Sequence, residues 1–158
     1  CGGTTPALPQ LFFNVINGGK HADSGLAVQE FLITPRVSVD TATQIAIASD
    51  VVYHLGNILR ERGYSIGVGD EGGFAPRLES TEAVLKLLND AITRAGYTNR
   101  DIGIALDAAA SGWHQGGAYQ LADFAEPIRM LYDVSCSTNE FSDNAVENSL
   151  FKSGKINI

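Results

Sequence analysis

Val68-Gly69-Asp70-Glu71-Gly72-Gly73-Phe74-Ala75-Pro76 sets two acids between glycines, directly after a short apolar run. Glycine lets the backbone turn tightly and approach a ligand closely, and two carboxylates can handle a proton or a hydroxyl. Alone, the stretch fits an acidic surface turn better than a reactive site. Its meaning depends on the segments to either side.

On its amino side, Thr41 to Arg62 reads as a long amphipathic helix. Ile45, Ala48, Val52, Leu55 and Leu59 recur at helical spacing, Asp40 can cap the start and Gly63 can end it. On its carboxyl side, a second helix runs from about Thr81 to Ala95, with Ala83, Val84, Leu87, Leu88, Ala91 and Ile92 on its apolar side. Ser80 is its N-cap, Glu82 suits the positive end of the helix dipole, and Gly96 lies beyond its end. Farther out, Leu11 to Ile16 reads as a short buried strand stopped by Asn17-Gly18-Gly19, and Glu30 to Ile33 as another stopped before Pro35. Ile102 to Leu106 is a continuous apolar run ending in Asp107, the pattern of a strand covered on both faces in a parallel sheet. A helix-sized segment at 125–133 comes next. Beyond it, residues 134–158 are rich in Ser and Asn without sustained periodicity, as a divergent ending or a disordered tail would be.

The 158 residues suffice for one domain, and 44% hydrophobic with 18% charged residues is the composition of a folded globular chain. A formal net charge of −7 with no basic run argues against a nucleic-acid or anionic-membrane partner, because such surfaces need clustered Lys and Arg. No apolar stretch reaches the roughly 20 residues that span a bilayer, and no basic segment followed by an apolar one opens the chain. Cys1 and Cys136 show neither metal spacing nor a disulfide framework, which suits a reducing cytoplasm. The chain begins at Cys1 rather than Met, as a piece of a longer reading frame would.

Four stretches stand in register with one known pattern. They are Asn14-Val15-Ile16-Asn17-Gly18-Gly19-Lys20-His21-Ala22, then Gln29-Glu30-Phe31-Leu32-Ile33-Thr34-Pro35, then the Gly-Asp-Glu-Gly-Gly turn, and last the run from Ile102 through Asp107 to Ser111. In this order and at these separations they closely resemble enolase, the glycolytic phosphopyruvate hydratase, from the start of its barrel domain, over about residues 3 to 132. The resemblance implies an α/β fold, a partial TIM-type (β/α)8 barrel over residues 1–133 with a divergent tail at 134–158. A complete barrel takes about 250 residues. It further implies a soluble cytoplasmic lyase, a homodimer or larger in the intact parent.

In such barrels chemistry collects where strands end and loops begin, and His21, Glu30, Glu71 and Asp107 are all expected at or just beyond strand ends. Acids with one histidine on one rim suit a hard divalent cation and acid-base work on a small anionic substrate. The implied reaction removes the proton beside the carboxylate of 2-phosphoglycerate and expels the neighbouring hydroxyl as water, giving phosphoenolpyruvate. By resemblance, Asp107 is the first of three acidic ligands of magnesium. Its competing reading is a helix N-cap after a strand. Glu71 matches the acid that protonates the leaving hydroxyl, Glu30 the carboxylate that cooperates with it, and His21 a substrate-contacting histidine. Gln29 is a weaker substrate-side candidate, and His54 and His114 are structural.

Departures from the pattern bear on activity. Ser111 is followed by Gly112 and Trp113 where the family has a glutamate and an aromatic. The other two metal-binding acids, the lysine base and the later substrate-binding lysine and histidine have no matching motifs. The alternative to a lyase segment is therefore a truncated, non-catalytic module acting through protein contacts.

Overall fold

A computed structural model of the chain describes residues 9–36, 39–115 and 118–119. Strand β1 (Phe13–Asn17) and strand β2 (Glu30–Pro35) are followed by helix α1 (Thr41–Glu61), helix α2 (Thr81–Arg94) and strand β3 (Ile102–Asp107). The segments at 125–133 and 134–158 lie outside the described residues.

Both helices start and stop for reasons written in their flanks. The Asp40 carboxylate accepts the Thr43 N–H at 3.0 Å, and the Ser80 hydroxyl accepts the Ala83 N–H at 3.2 Å, each satisfying a donor the first helical turn leaves unpaired. Each helix ends at a Gly-Tyr pair, with Gly63 and Gly96 at φ of +76° and +85°. The Tyr64 N–H returns to Leu59 O and the Tyr97 N–H to Ile92 O, at 2.9 and 3.1 Å. These are the left-handed glycine stops that occupy the orphan carbonyls of a last turn. Paired Arg94 nitrogens at 2.6 and 2.7 Å from the Glu61 carboxylate tie the two helices together at the surface.

The buried stripe of α1 runs through Gln44, Ala48, Val51, Leu55, Ile58 and Leu59. Ile45, expected on it, is 48% exposed, because the helix presents the neighbouring row of side chains to the sheet. On α2, Val84, Leu85, Leu87, Leu88, Ala91 and Ile92 are buried. These two stripes pack over Phe31, Ile33, Ile102 and Ile104 from one face of the sheet, forming a single core.

The sheet order is β1-β2-β3, and both pairings are antiparallel. This corrects the parallel sheet expected around Ile102–Leu106. A single crossover helix would bring the chain back to the end where β2 began. Here two helices return it to the end where β2 finished, so Ile102 pairs with Pro35 and β3 must run the other way. A continuous apolar run reports burial and carries no information on direction. The expected partial barrel is thus, among the described residues, a three-stranded antiparallel sheet with two helices on one face, followed by a short antiparallel ribbon of His114–Gln115 with Ala118–Tyr119. Strand β2 also continues through Pro35 rather than stopping before it. The run leading into the acidic turn is no strand either, with Val68 64% exposed and joined to Phe74 by an isolated bridge.

Candidate functional site

Strand register assembles one row of side chains across the sheet. Asn17 of β1 pairs with Glu30 of β2, which pairs with Asp107 of β3. Directly opposed residues of antiparallel strands project to the same face, here the face away from the helices. Asp107 ends its strand as expected, whereas Glu30 begins β2. Its place on the rim comes from direction, since an antiparallel middle strand sets its amino end beside the carboxyl ends of both neighbours.

His21 reaches this row from the 3-10 turn Gly19–His21. The loop between β1 and β2 is held by the Gly18 N–H on Gln29 O at 2.8 Å and the Gly19 N–H on Leu26 O at 2.9 Å. Glu71 arrives from the other side. The Asp70 N–H donates to His21 O at 3.1 Å, the Asn17 N–H to Phe74 O at 2.9 Å and the Phe74 N–H to Val15 O at 2.9 Å. The acidic turn is thereby latched along β1 and onto the histidine loop.

The glycines of the turn serve this latch rather than the approach of a ligand. A Cβ on Gly73 would stand 2.3 Å from Asn17 Oδ1 and 3.0 Å from Ile16 N, and one on Gly69 would stand 2.6 Å from His21 O. Gly72 differs, since its surroundings are open and its φ of +81° is the constraint. Gly73→Ala is expected to destabilise the chain by about 1–3 kcal/mol, the range for forced overpacking, read as a lowered urea midpoint with unchanged slope. An unchanged midpoint would show that the turn is not seated on Asn17.

His21, Glu30 and Glu71 each offer a ligand-type atom, all within 4.8 Å of one another. His21 Nδ1 stands 3.4 Å from Glu30 Oε1, yet Nδ1 is buried and makes no hydrogen bond. The Glu30 carboxyl is raised above its ordinary 4.5, first by burial and then by the negative charges of Asp107 and Glu71, with His21 acting in the opposite sense. A raised carboxyl holds its proton to higher pH in the folded chain than in the unfolded one. Its stabilising contribution is full below the unfolded value and is lost as pH rises through the folded value. Glu30→Gln should therefore gain stability relative to the parent as pH rises from about 4 to 7, measured by urea denaturation. A constant difference across that range would mean that Glu30 does not carry this strain.

Asp107 Oδ1 accepts the Ala109 N–H at 3.0 Å. That is a local turn over two residues, in place of the helix cap considered for it, and it leads into the short 3-10 turn Ala110–Trp113. Among the described residues Asp107 belongs to no group of three metal-ligating side chains. Gln29 stands apart from the histidine cluster, lining an open cleft of about 200 Å³ with Gly19, Lys20, Leu26, Ser111 and Trp113. Trp113 donates its Nε1–H to Ala27 O at 3.0 Å and so ties the segment after β3 to the loop before β2.

Two residues of this face went unrecognised in the sequence. Asn14 and Asn17 are three apart and would point to opposite faces of a regular strand. A register slip between Asn14 and Ile16 turns both to the same side, where Asn14 Nδ2 donates to Asn17 Oδ1 at 3.3 Å. Asn17 is fully buried with Nδ2 unpaired. Two asparagines within one buried strand, Asn14 near its start and Asn17 at its end, were the only sign available, and a bulge cannot be read from them.

Residues 5–146 match the family described as "Enolase, C-terminal TIM barrel domain". The chain is 46% identical over 123 residues to the enolase of Lactobacillus delbrueckii subsp. bulgaricus, covering 76% of this chain and 29% of that protein. It is 49% identical over 111 residues to enolase 2 of Lactiplantibacillus plantarum, covering 70% of this chain and 26% of that one. With enolase 2 of Lactobacillus johnsonii it shares 41% over 162 residues, 93% of this chain and 38% of that protein. The chain thus spans about a quarter to two-fifths of the length of these relatives.

Proposed function

Because this chain belongs to the enolase family, through its C-terminal barrel domain, we propose that it forms the opening part of the barrel of a lyase that reversibly dehydrates 2-phosphoglycerate to phosphoenolpyruvate. The observation that carries this reading is the meeting of His21, Glu30 and Glu71 within 4.8 Å, on the rim where Asp107 ends β3.

The reaction demands a proton donor at a departing hydroxide. Glu71 is the exposed member of the cluster and in this reading protonates the hydroxyl, so that it leaves as water. Glu30, whose carboxyl is raised above its ordinary value first by burial, lies beside Glu71 and in this reading cooperates with it as the second carboxyl at the leaving hydroxyl. His21 holds the anionic substrate against them, and Gln29 borders the cleft on the substrate side.

The family implies a metal cofactor, which we assign as magnesium. When bound it stabilises the charge that builds on the substrate carboxylate as the neighbouring proton leaves. Asp107 fits one hard oxygen ligand, and the two further acids that the family resemblance implies have no counterpart among the described residues. Among the described residues no helix is long and apolar enough to cross a membrane. We place the parent enzyme in the cytoplasm as a dimer or larger.

A chimera tests the reading. Residues 9–115 of this chain would replace the matching segment of the Lactobacillus delbrueckii enolase, and phosphoenolpyruvate formation would be followed by ultraviolet absorbance with saturating magnesium. Turnover within about tenfold of the unmodified relative, a cost of about 1.4 kcal/mol, is expected. A folded chimera without turnover would refute it.

A further inference from the structure

We infer that Asn17 is the positioning residue of the Glu30–Glu71 pair: clamped beneath the acidic turn, its side-chain Nδ2–H donates to the Glu30 carboxylate across the β1–β2 pairing and so fixes Glu30 against Glu71. The chemical role of that pair rests on the functional reading above, whereas the hydrogen bond does not.

Three observations support it. The first is the cross-strand geometry. The Gly18 N–H bonds to Gln29 O at 2.8 Å, while the Asn17 N–H turns away from β2 to Phe74 O at 2.9 Å. Asn17 and its register partner Glu30 are therefore a non-hydrogen-bonded pair, the kind whose side chains approach most closely, with Cβ atoms about 4.5–5.5 Å apart. One carboxamide and one carboxylate span that gap. The second is an orphaned donor. Asn17 is fully buried and its Nδ2 has no partner, a state that native proteins rarely leave uncompensated. Its Oδ1 is taken by Asn14 Nδ2 at 3.3 Å and faces Gly73. The nitrogen is left for the β2 side, where a bond to an ionised carboxylate is of the stronger, charge-assisted kind. The third is the clamp itself. A Cβ on Gly69 would stand 2.8 Å from Asn17 Cβ, and one on Gly73 would stand 2.3 Å from its Oδ1, so the turn that carries Glu71 closes directly over the carboxamide and holds it in place. One residue thereby touches the turn of one acid and faces the strand position of the other. Misplacing a reacting group by about 1 Å can cost about 10²-fold in rate, which is the scale at stake if Glu30 swings free.

The test has a spectroscopic arm and a kinetic arm. In the ¹⁵N-labelled 158-residue chain at neutral pH, one side-chain amide proton of Asn17 should resonate downfield of the ordinary amide range. It should return to that range in Glu30→Ala and stay downfield in Asn14→Ala, which removes the competing acceptor Asn14 Oδ1, also buried and unpaired. In the chimera, Asn17→Asp keeps the shape and removes the donor, and Asn17→Leu removes the donor without adding charge. Each should lower kcat about 10–100-fold with KM within about threefold, far-ultraviolet circular dichroism being unchanged. In a Glu30→Ala background the same substitutions should change kcat by less than about twofold, because a positioning residue then has nothing left to position. The proposal is overturned if the Asn17 amide proton is indifferent to Glu30→Ala or follows Asn14→Ala instead, or if the Asn17 and Glu30 losses multiply in the double variants, as two independent effects would. A Glu30-dependent Asn17 resonance beside a chimera that turns over equally well with Glu30→Ala would refute the acid role of Glu30 alone.

Discussion

Glu71→Gln in the chimera is expected to lower kcat by about 10²–10⁴-fold, the usual worth of a general acid. KM should stay within about threefold. The amide keeps the shape of the carboxyl and still hydrogen-bonds, but it has no proton to give a departing hydroxide. The loss therefore falls on the transition state and leaves ground-state binding largely intact. Glu71 is exposed on a turn whose backbone is fixed by contacts to His21 and Val15, so the substitution should not disturb the fold. Exchange of the proton beside the substrate carboxylate should survive better than dehydration, because the acid acts only on the leaving group. Equal losses in both would assign Glu71 to organising the site rather than to proton donation.

The 158-residue chain by itself is expected to form phosphoenolpyruvate at less than about 10⁻⁴ of the chimera rate, a difference of at least about 5.4 kcal/mol in transition-state stabilisation. In the proposed reading His21, Glu30 and Glu71 supply the acid side of the site, while the sequence has no matching motifs for a lysine base or for two of the three magnesium-binding acids that the family resemblance implies. A general acid alone contributes only part of the acceleration, since the proton beside a carboxylate is very weakly acidic and needs both a base and a cation. Magnesium binding should be correspondingly weak. Turnover near that of the chimera would show that residues outside the described part, or a second chain, supply the missing groups.

The helices were legible because their signals are local. Asp40 and Ser80 bond to residues three positions on, Gly63 and Gly96 relax the turn directly beside them, and the apolar stripe of α2 follows a 3.6-residue period. The exception on α1 is instructive. Ile45 keeps the period but not the face, because a buried stripe about 100° wide leaves room for more than one row to satisfy the spacing, and only the packed sheet selects the row through Gln44 and Ala48.

The acidic turn was recognisable as a unit, but its glycines were assigned to the wrong neighbour. Gly69 and Gly73 are small because Asn17 and His21 press against them, a contact between segments about fifty residues apart that no local pattern records. The same holds for Asn14 and Asn17, whose shared face depends on one slip in the β1–β2 register.

What this sequence determines by itself is therefore the set of elements and the family. Caps, stops and periodicity act within a few residues, and four motifs in register carry membership across the chain. What only the tertiary structure decides is direction and adjacency. The α1–α2 hairpin returns the chain to the end where β2 finished, making β3 antiparallel, and that reversal sets Glu30 at the start of β2 beside Asp107 at the end of β3. A strand's apolar pattern is the same read in either direction. The rim that gathers these acids exists only once long-range pairing has chosen one.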